Sequence, residues 1–190
     1  MTERMNTAFT ALLVPTYRNM LTALSAWLDK AQASSDADAL MAARLAQDMY
    51  PLSTQIRFAC VQVLEAIYRL QGKPLPEVAG ALVAEGREAG DHPGTIAEGQ
   101  RVIAETLAQV QALGGDALDM DADAALAHEL PNGMSMDLSA QQYARDWALP
   151  QFYFHVMAAY AILRQQGIDL GKADYCAHML PFIRQGAPAG

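Results

Sequence analysis

Residues 148–164 read ALPQFYFHVMAAYAILR, an almost wholly apolar run with one histidine, His155, at its centre. Helical spacing places Phe152, His155, Ala159 and Ile162 on one face, with Tyr153, Val156, Tyr160 and Leu163 on the opposite side. A helix apolar nearly all round is buried on most sides, either within a bundle or against a second subunit. The run is too short for a membrane span, and Pro150, Gln151 and His155 interrupt it. This stretch therefore predicts a buried bundle helix ending at Gly167. Pro150 marks where the helix straightens or restarts.

Three further long helices are expected around it. The first covers about Phe9–Lys30, with Tyr17, Met20, Leu21, Leu24, Trp27 and Leu28 at helical spacing and Pro15 opening or kinking it. The run SSDADA breaks the pattern and predicts a short helix around Leu40–Met49. A second long helix begins near Pro51, carries Leu52, Ile56, Ala59, Cys60, Val63, Ile67 and Leu70, and stops at Gln71-Gly72. The Pro- and Gly-rich segment 73–94 has room for one helix over Pro76–Glu88. Thr95 and Glu98 have the spacing of a capping box, opening a third long helix that Gly114-Gly115 stops.

HELPNGMSMDL puts Asn132-Gly133 between two short runs and predicts a small β-hairpin around 127–138. Ser139 caps a segment through Asp146, and the tail is expected to pack back across the helices through Tyr175, Met179 and Phe182. The fold class is all-α: a four-helix up-and-down bundle with a long crossover, formed by a single domain over residues 1–190.

Composition supports this and limits function. Apolar residues make up 52% and charged residues 18%, a globular balance. A formal charge of -8 with 13 scattered basic residues excludes the basic footprint of a nucleic-acid binder. Cys60 falls on an apolar stripe and pairs with no CxxC motif, as expected of a reducing cytoplasm. MTERMNTAFT lacks the basic and apolar order of a secretion signal, so the expected location is cytoplasmic and no membrane partner is expected.

A buried imidazole needs partners for both ring nitrogens. For His155 these are either a core carboxylate or tyrosine, or a metal with further inward ligands. At helical spacing from His155 stand Gln151, Phe152, Ala158 and Ala159, none a good ligand. Asp48 and Gln55 share a face if the second helix continues through Pro51. An Asp48 partner would favour the imidazolium form. Tyr17 and Tyr160 are candidate hydrogen-bonding neighbours, so the candidate pocket comprises His155, Asp48, Gln55, Tyr17 and Tyr160. His92 and His128 are expected at the surface. LDMDADAALAHEL begins like a calcium loop, but Ala124 and Leu130 stand where glycine and glutamate belong. Nucleophile elbows and nucleotide-binding glycine motifs are absent from the sequence.

Three stretches taken together carry a resemblance: LAQDMYPLSTQIRFAC at 45–60, LPNG at 130–133, and ALPQFYFHVMAAYAILRQQGIDLGKADY at 148–175. They resemble an uncharacterised bacterial and fungal domain family of the DinB/YfiT-like metalloenzyme superfamily. The resemblance implies a four-helix bundle, often dimeric, in which three histidines hold a divalent metal such as Zn or Ni. One histidine comes from the second helix and two from a late helix, spaced i, i+4. Some relatives use the metal to activate a low-molecular-weight thiol. Here His155 matches the first late histidine, Ala159 stands where the second belongs, and Gln55 stands at the second-helix position. The expected function is a small-molecule-binding bundle that has lost the three-histidine site, needs no cofactor and forms a homodimer. The alternatives are a divergent metal-dependent, thiol-transferase-like enzyme, with His155 and Asp48 as the ligands available, and a non-catalytic dimeric interaction or stress-related protein.

Overall fold

A computed structural model describes residues 9–130 and 133–184. The first helix, α1 (Phe9–Ala31), buries Leu13, Tyr17, Met20, Leu21, Leu24, Trp27 and Leu28. Pro15 lies inside it, and the carbonyl its missing N–H would have engaged belongs to Ala11, which is exposed to solvent. The acidic loop closes the start of α1. Thr10 N–H donates to Asp119 Oδ1 at 2.7 Å, and Thr10 Oγ1 accepts from Leu118 N–H at 2.9 Å.

The predicted helix at Leu40–Met49 does not form. A 3-10 turn covers only Asp38–Ala42, burying Leu40 and Met41. Residues 44–48 offer one large apolar side chain, Leu45, too little for a packed face. The turn is held from elsewhere: Asp38 Oδ1 accepts the Ile96 N–H at 2.9 Å, and the Ala43 carbonyl accepts the Leu52 N–H at 2.9 Å.

Helix α2 (Leu52–Leu70) follows Pro51, whose extended backbone makes it the cap rather than the first turn. It is the most enclosed helix, burying even Ser53, Thr54, Gln55 and Arg57. These polar groups bind neighbouring elements. Thr54 Oγ1 donates to the Gly86 carbonyl at 2.7 Å in α3 (Glu77–Glu88), and Arg57 Nε pairs with Glu85 at 3.0 Å. Helix α4 (Ile96–Gln111) opens with the Thr95–Glu98 capping box expected from the sequence.

The chain then forms the antiparallel hairpin β1 (Ala125–Glu129) and β2 (Ser135–Ser139), with Leu126 opposite Leu138 and His128 opposite Met136. Gly133 takes φ +81° in the connection, as the predicted tight turn requires; Asn132 lies outside the described residues. Ser139 and Gln142 form a second capping box for the single turn α5 (Ala140–Gln142). The helix widens into π-type turns over Tyr143–Ala148 and tightens into α6 (Leu149–Gln165), with Gly167 at φ +85° ending it.

Helices α1, α2, α4 and α6 form the bundle. Tyr17 meets Phe152 and Trp27 meets Tyr160, so α1 and α6 run parallel. The contacts of Thr10 with Leu118 and of Asp29 with Gln100 make α4 antiparallel to α1. The long crossover carries α3 and returns the chain, so α2 and α4 share a direction, with Tyr68 reaching Gln109. Beyond Gly167, α7 (Lys172–Tyr175) packs Tyr175 flat on Trp27 at 5.6 Å, as expected. Met179 and Phe182 do not follow. They are 50% and 75% exposed on a 3-10 segment, so the packing of the tail on α1 is carried by Tyr175. Among the described residues no helix is long and apolar enough to cross a membrane.

Candidate functional site

The apolar face of α6 seats His155 against α2. The residue is 8% exposed, and its ring lies edge-on to Phe58 and Phe154, with centroids 5.4 and 5.2 Å away. Its Nδ1 is 2.9 Å from Gln55 Oε1. The amide orientation settles the proton. Gln55 Nε2 donates to the Tyr50 carbonyl at 3.2 Å, which turns Oε1, an acceptor only, toward the imidazole. His155 therefore carries its proton on Nδ1 and donates it to Gln55. Nε2 keeps its lone pair, engages no group among the described residues and is not sealed from solvent. Burial pushes the imidazole down to about 4, so the ring is neutral at physiological pH.

Among the sequence candidates, only Gln55 meets His155. Asp48 is exposed in the irregular stretch before Pro51, and the helix continuation that would have aligned it with Gln55 does not exist. The imidazolium that an Asp48 partner would have favoured is therefore replaced by a neutral ring. Tyr17 is fully buried one helix away, edge-on to Phe152 at 4.9 Å, and its hydroxyl has no hydrogen-bond partner among the described residues. Tyr160 turns to the other side of α6 and packs on Trp27 and Tyr175.

The donors present do not fit a divalent-metal site of the superfamily kind. One imidazole faces an amide already engaged at both ends, and Ala159, one turn on, offers no ligand atom. Among the described residues no three His, Cys, Asp or Glu side chains converge to hold a metal ion. What the arrangement can do is accept: Nε2 is a neutral hydrogen-bond acceptor and weak base framed by aromatic rings.

Sequence reasoning missed the aromatic frame. Phe58 lies on α2 one turn beyond Gln55, and Tyr50, 48% exposed, stands edge-on to it at 5.6 Å. The i, i+3 spacing of Gln55 and Phe58 was the available signal. His128 was expected at the surface and is 3% exposed. Strand alternation turns Leu126 and His128 inward together, a period-2 signal that the hairpin itself carries. His92 is exposed, as expected.

A concavity of about 370 Å³ lies apart from His155, between α1 and the tail, bordered by Arg18, Trp27, Lys30, Asp174 and His178. Lys30 bridges to Asp174 there at 2.7 Å.

Comparison with known proteins agrees with this architecture. No curated protein sequence matches the chain. A crystal structure of a DinB family member protein from Shewanella denitrificans superimposes with a TM-score of 0.70 at 27% identity, covering 96% of this chain and 97% of that one. Residues 9–176 match a family described as a domain of unknown function, DUF1993. The chain spans that domain with its bundle, crossover and hairpin, and it belongs to the DUF1993 family.

Proposed function

We propose that this DUF1993 bundle binds a small molecule at the seam between α2 and α6, through His155 as a neutral acceptor instead of a metal. The observation that supports this reading is the Tyr50–Gln55–His155 relay, which commits Nδ1 and leaves Nε2 with no hydrogen-bond partner among the described residues. A ligand N–H or O–H would exchange solvent for a hydrogen bond to Nε2 inside an aromatic frame, where such a bond is stronger than in water. Phe58, Phe154 and Tyr50 would contact the apolar body of such a ligand, a few polar groups in an aromatic setting being the usual composition of a small-molecule site.

The test combines elemental analysis with ring-nitrogen NMR of protein labelled at histidine. The expected result is substoichiometric metal in both wild type and His155→Ala, with a neutral Nδ1–H tautomer for His155. Stoichiometric zinc or nickel that disappears in His155→Ala would overturn the reading in favour of a metal-dependent enzyme.

A further inference from the structure

A second polar cluster sits at the other end of the α2–α6 seam. Among the described residues, Gln62 Oε1, Arg69 Nε, His128 Nδ1, Tyr143 OH and Trp147 Nε1 are all buried without a hydrogen-bond partner. Native interiors pair nearly all such atoms, so several gathered in one place indicate a missing occupant. Three elements bring them together. Gln62 and Arg69 lie seven residues apart on one stripe of α2, with Glu65 beside them. The hairpin supplies His128, whose ring lies 4.9 Å from Trp147 and 5.7 Å from Tyr143. The π-type turns turn Tyr143 and Trp147 to the same side, and such wide turns recur at functional sites.

The layout has a floor and a rim. His128 and Tyr143 are buried, whereas Gln62, Glu65, Arg69 and Trp147 are half-buried at the edge. Buried donors come from Arg69, whose Nη1 also donates to the Ala127 carbonyl at 3.4 Å, and from Trp147 and Tyr143; acceptors come from His128, neutral because burial and Arg69 push it down to about 4, and from Gln62. Arg69 disfavours a metal cation. Burial pushes the Glu65 carboxyl beside Arg69 up toward its neutral form, so the single guanidinium matches one carboxylate and falls short of a phosphate dianion.

We propose that this end of the bundle binds a small organic carboxylate bearing a hydroxyl or amine. The carboxylate is held by Arg69, Trp147 and Tyr143, and the second group donates to His128 Nδ1 and Gln62 Oε1. The site is independent of the His155 seam.

The chain has two tryptophans, Trp27 and Trp147, so its indole N–H signals report the site directly. Formate, acetate, glycolate and glycine are titrated into nitrogen-15-labelled protein. The expected result is a saturable shift of the Trp147 and Arg69 Nε signals, tightest for glycolate or glycine and reaching half-saturation in about the millimolar range or below. The Trp27 signal stays still, and the response persists in His155→Ala. Arg69→Gln weakens binding about tenfold or more. Tyr143→Phe, which removes only an unpartnered hydroxyl and keeps the fold, weakens it severalfold. No saturable shift, equal movement of both indoles, wild-type binding by both variants, or a glycolate-soaked crystal with only water bridging these atoms would each overturn the proposal.

Discussion

Replacing His155 by glutamine separates a neutral, amide-bonded histidine from a charged, carboxylate-paired one. The folded imidazole titrates at about 4, against an ordinary value of 6.5, and burial is the cause. Between these two values the unfolded chain binds the proton and the folded chain does not. Stability contributed by the neutral ring is therefore full above about pH 6.5 and is lost as pH falls toward about 4. A single group with that separation loses about 2–3 kcal/mol between about pH 7.5 and about pH 4.5. Glutamine is neutral throughout and similar in reach, so the His128 titration cancels when the variant is subtracted from wild type. The assay is urea unfolding of both proteins at several pH values across that window. The difference, wild type minus His155→Gln, should fall by about 2–3 kcal/mol toward acid. A flat difference would refute the burial argument. A difference that grows toward acid would mean that the folded pKa is raised, and that a carboxylate faces the ring after all.

The remaining predictions read separate parts of the molecule. Thr95→Ala should cost about 1 kcal/mol in denaturant unfolding, because it removes the side-chain acceptor for the Glu98 N–H at the start of α4. Gly86→Ala should destabilise by about 1–3 kcal/mol, since a Cβ there would sit 2.5 Å from Phe58 Cε1. Phe58 also touches His155, so the same variant should shift the His155 ring signals, whereas a surface control such as Gly80→Ala should not. Finally, Tyr153, Phe154 and Met157 leave 38%, 58% and 48% of their surfaces exposed along one side of α6. If that side closes a homodimer, Phe154→Glu should convert dimer to monomer in sedimentation velocity; a wild-type monomer at micromolar concentration would count against it.

Most of the architecture was legible because it rests on local chemistry. Helix periods in α1, α2, α4 and α6 come from side-chain spacing. Their ends come from the Thr95–Glu98 box and from Gly167 with its positive φ; Pro51 marked the start of α2 but serves as its extended cap, not its first turn. The hairpin was likewise announced by Asn132-Gly133 between short runs. The helix expected at Leu40–Met49 failed for two reasons: residues 44–48 carry too few apolar side chains for a packed face, and Leu40 and Met41 are buried in a 3-10 turn pinned by Ile96 and Leu52.

The site divides along the same line. That Gln55 and Ala159 stand at ligand positions was what the family resemblance implied; that His155 would be buried on an apolar helix could be read from the chain alone. Which partner the imidazole takes could not. Asp48 and Gln55 lie seven residues apart, and only the break at Pro51 decides that one faces solvent while the other reaches across to α6. The His128–Tyr143–Arg69 cluster was hidden for the same reason. Its members lie on α2, the hairpin and the π-type turns, up to 85 residues apart, and no local pattern encodes their meeting. Sequence by itself determined the elements, since periodicity and capping act within a few residues. Only the tertiary structure decided which buried polar atoms find partners, since that depends on contacts made between distant segments when the bundle closes.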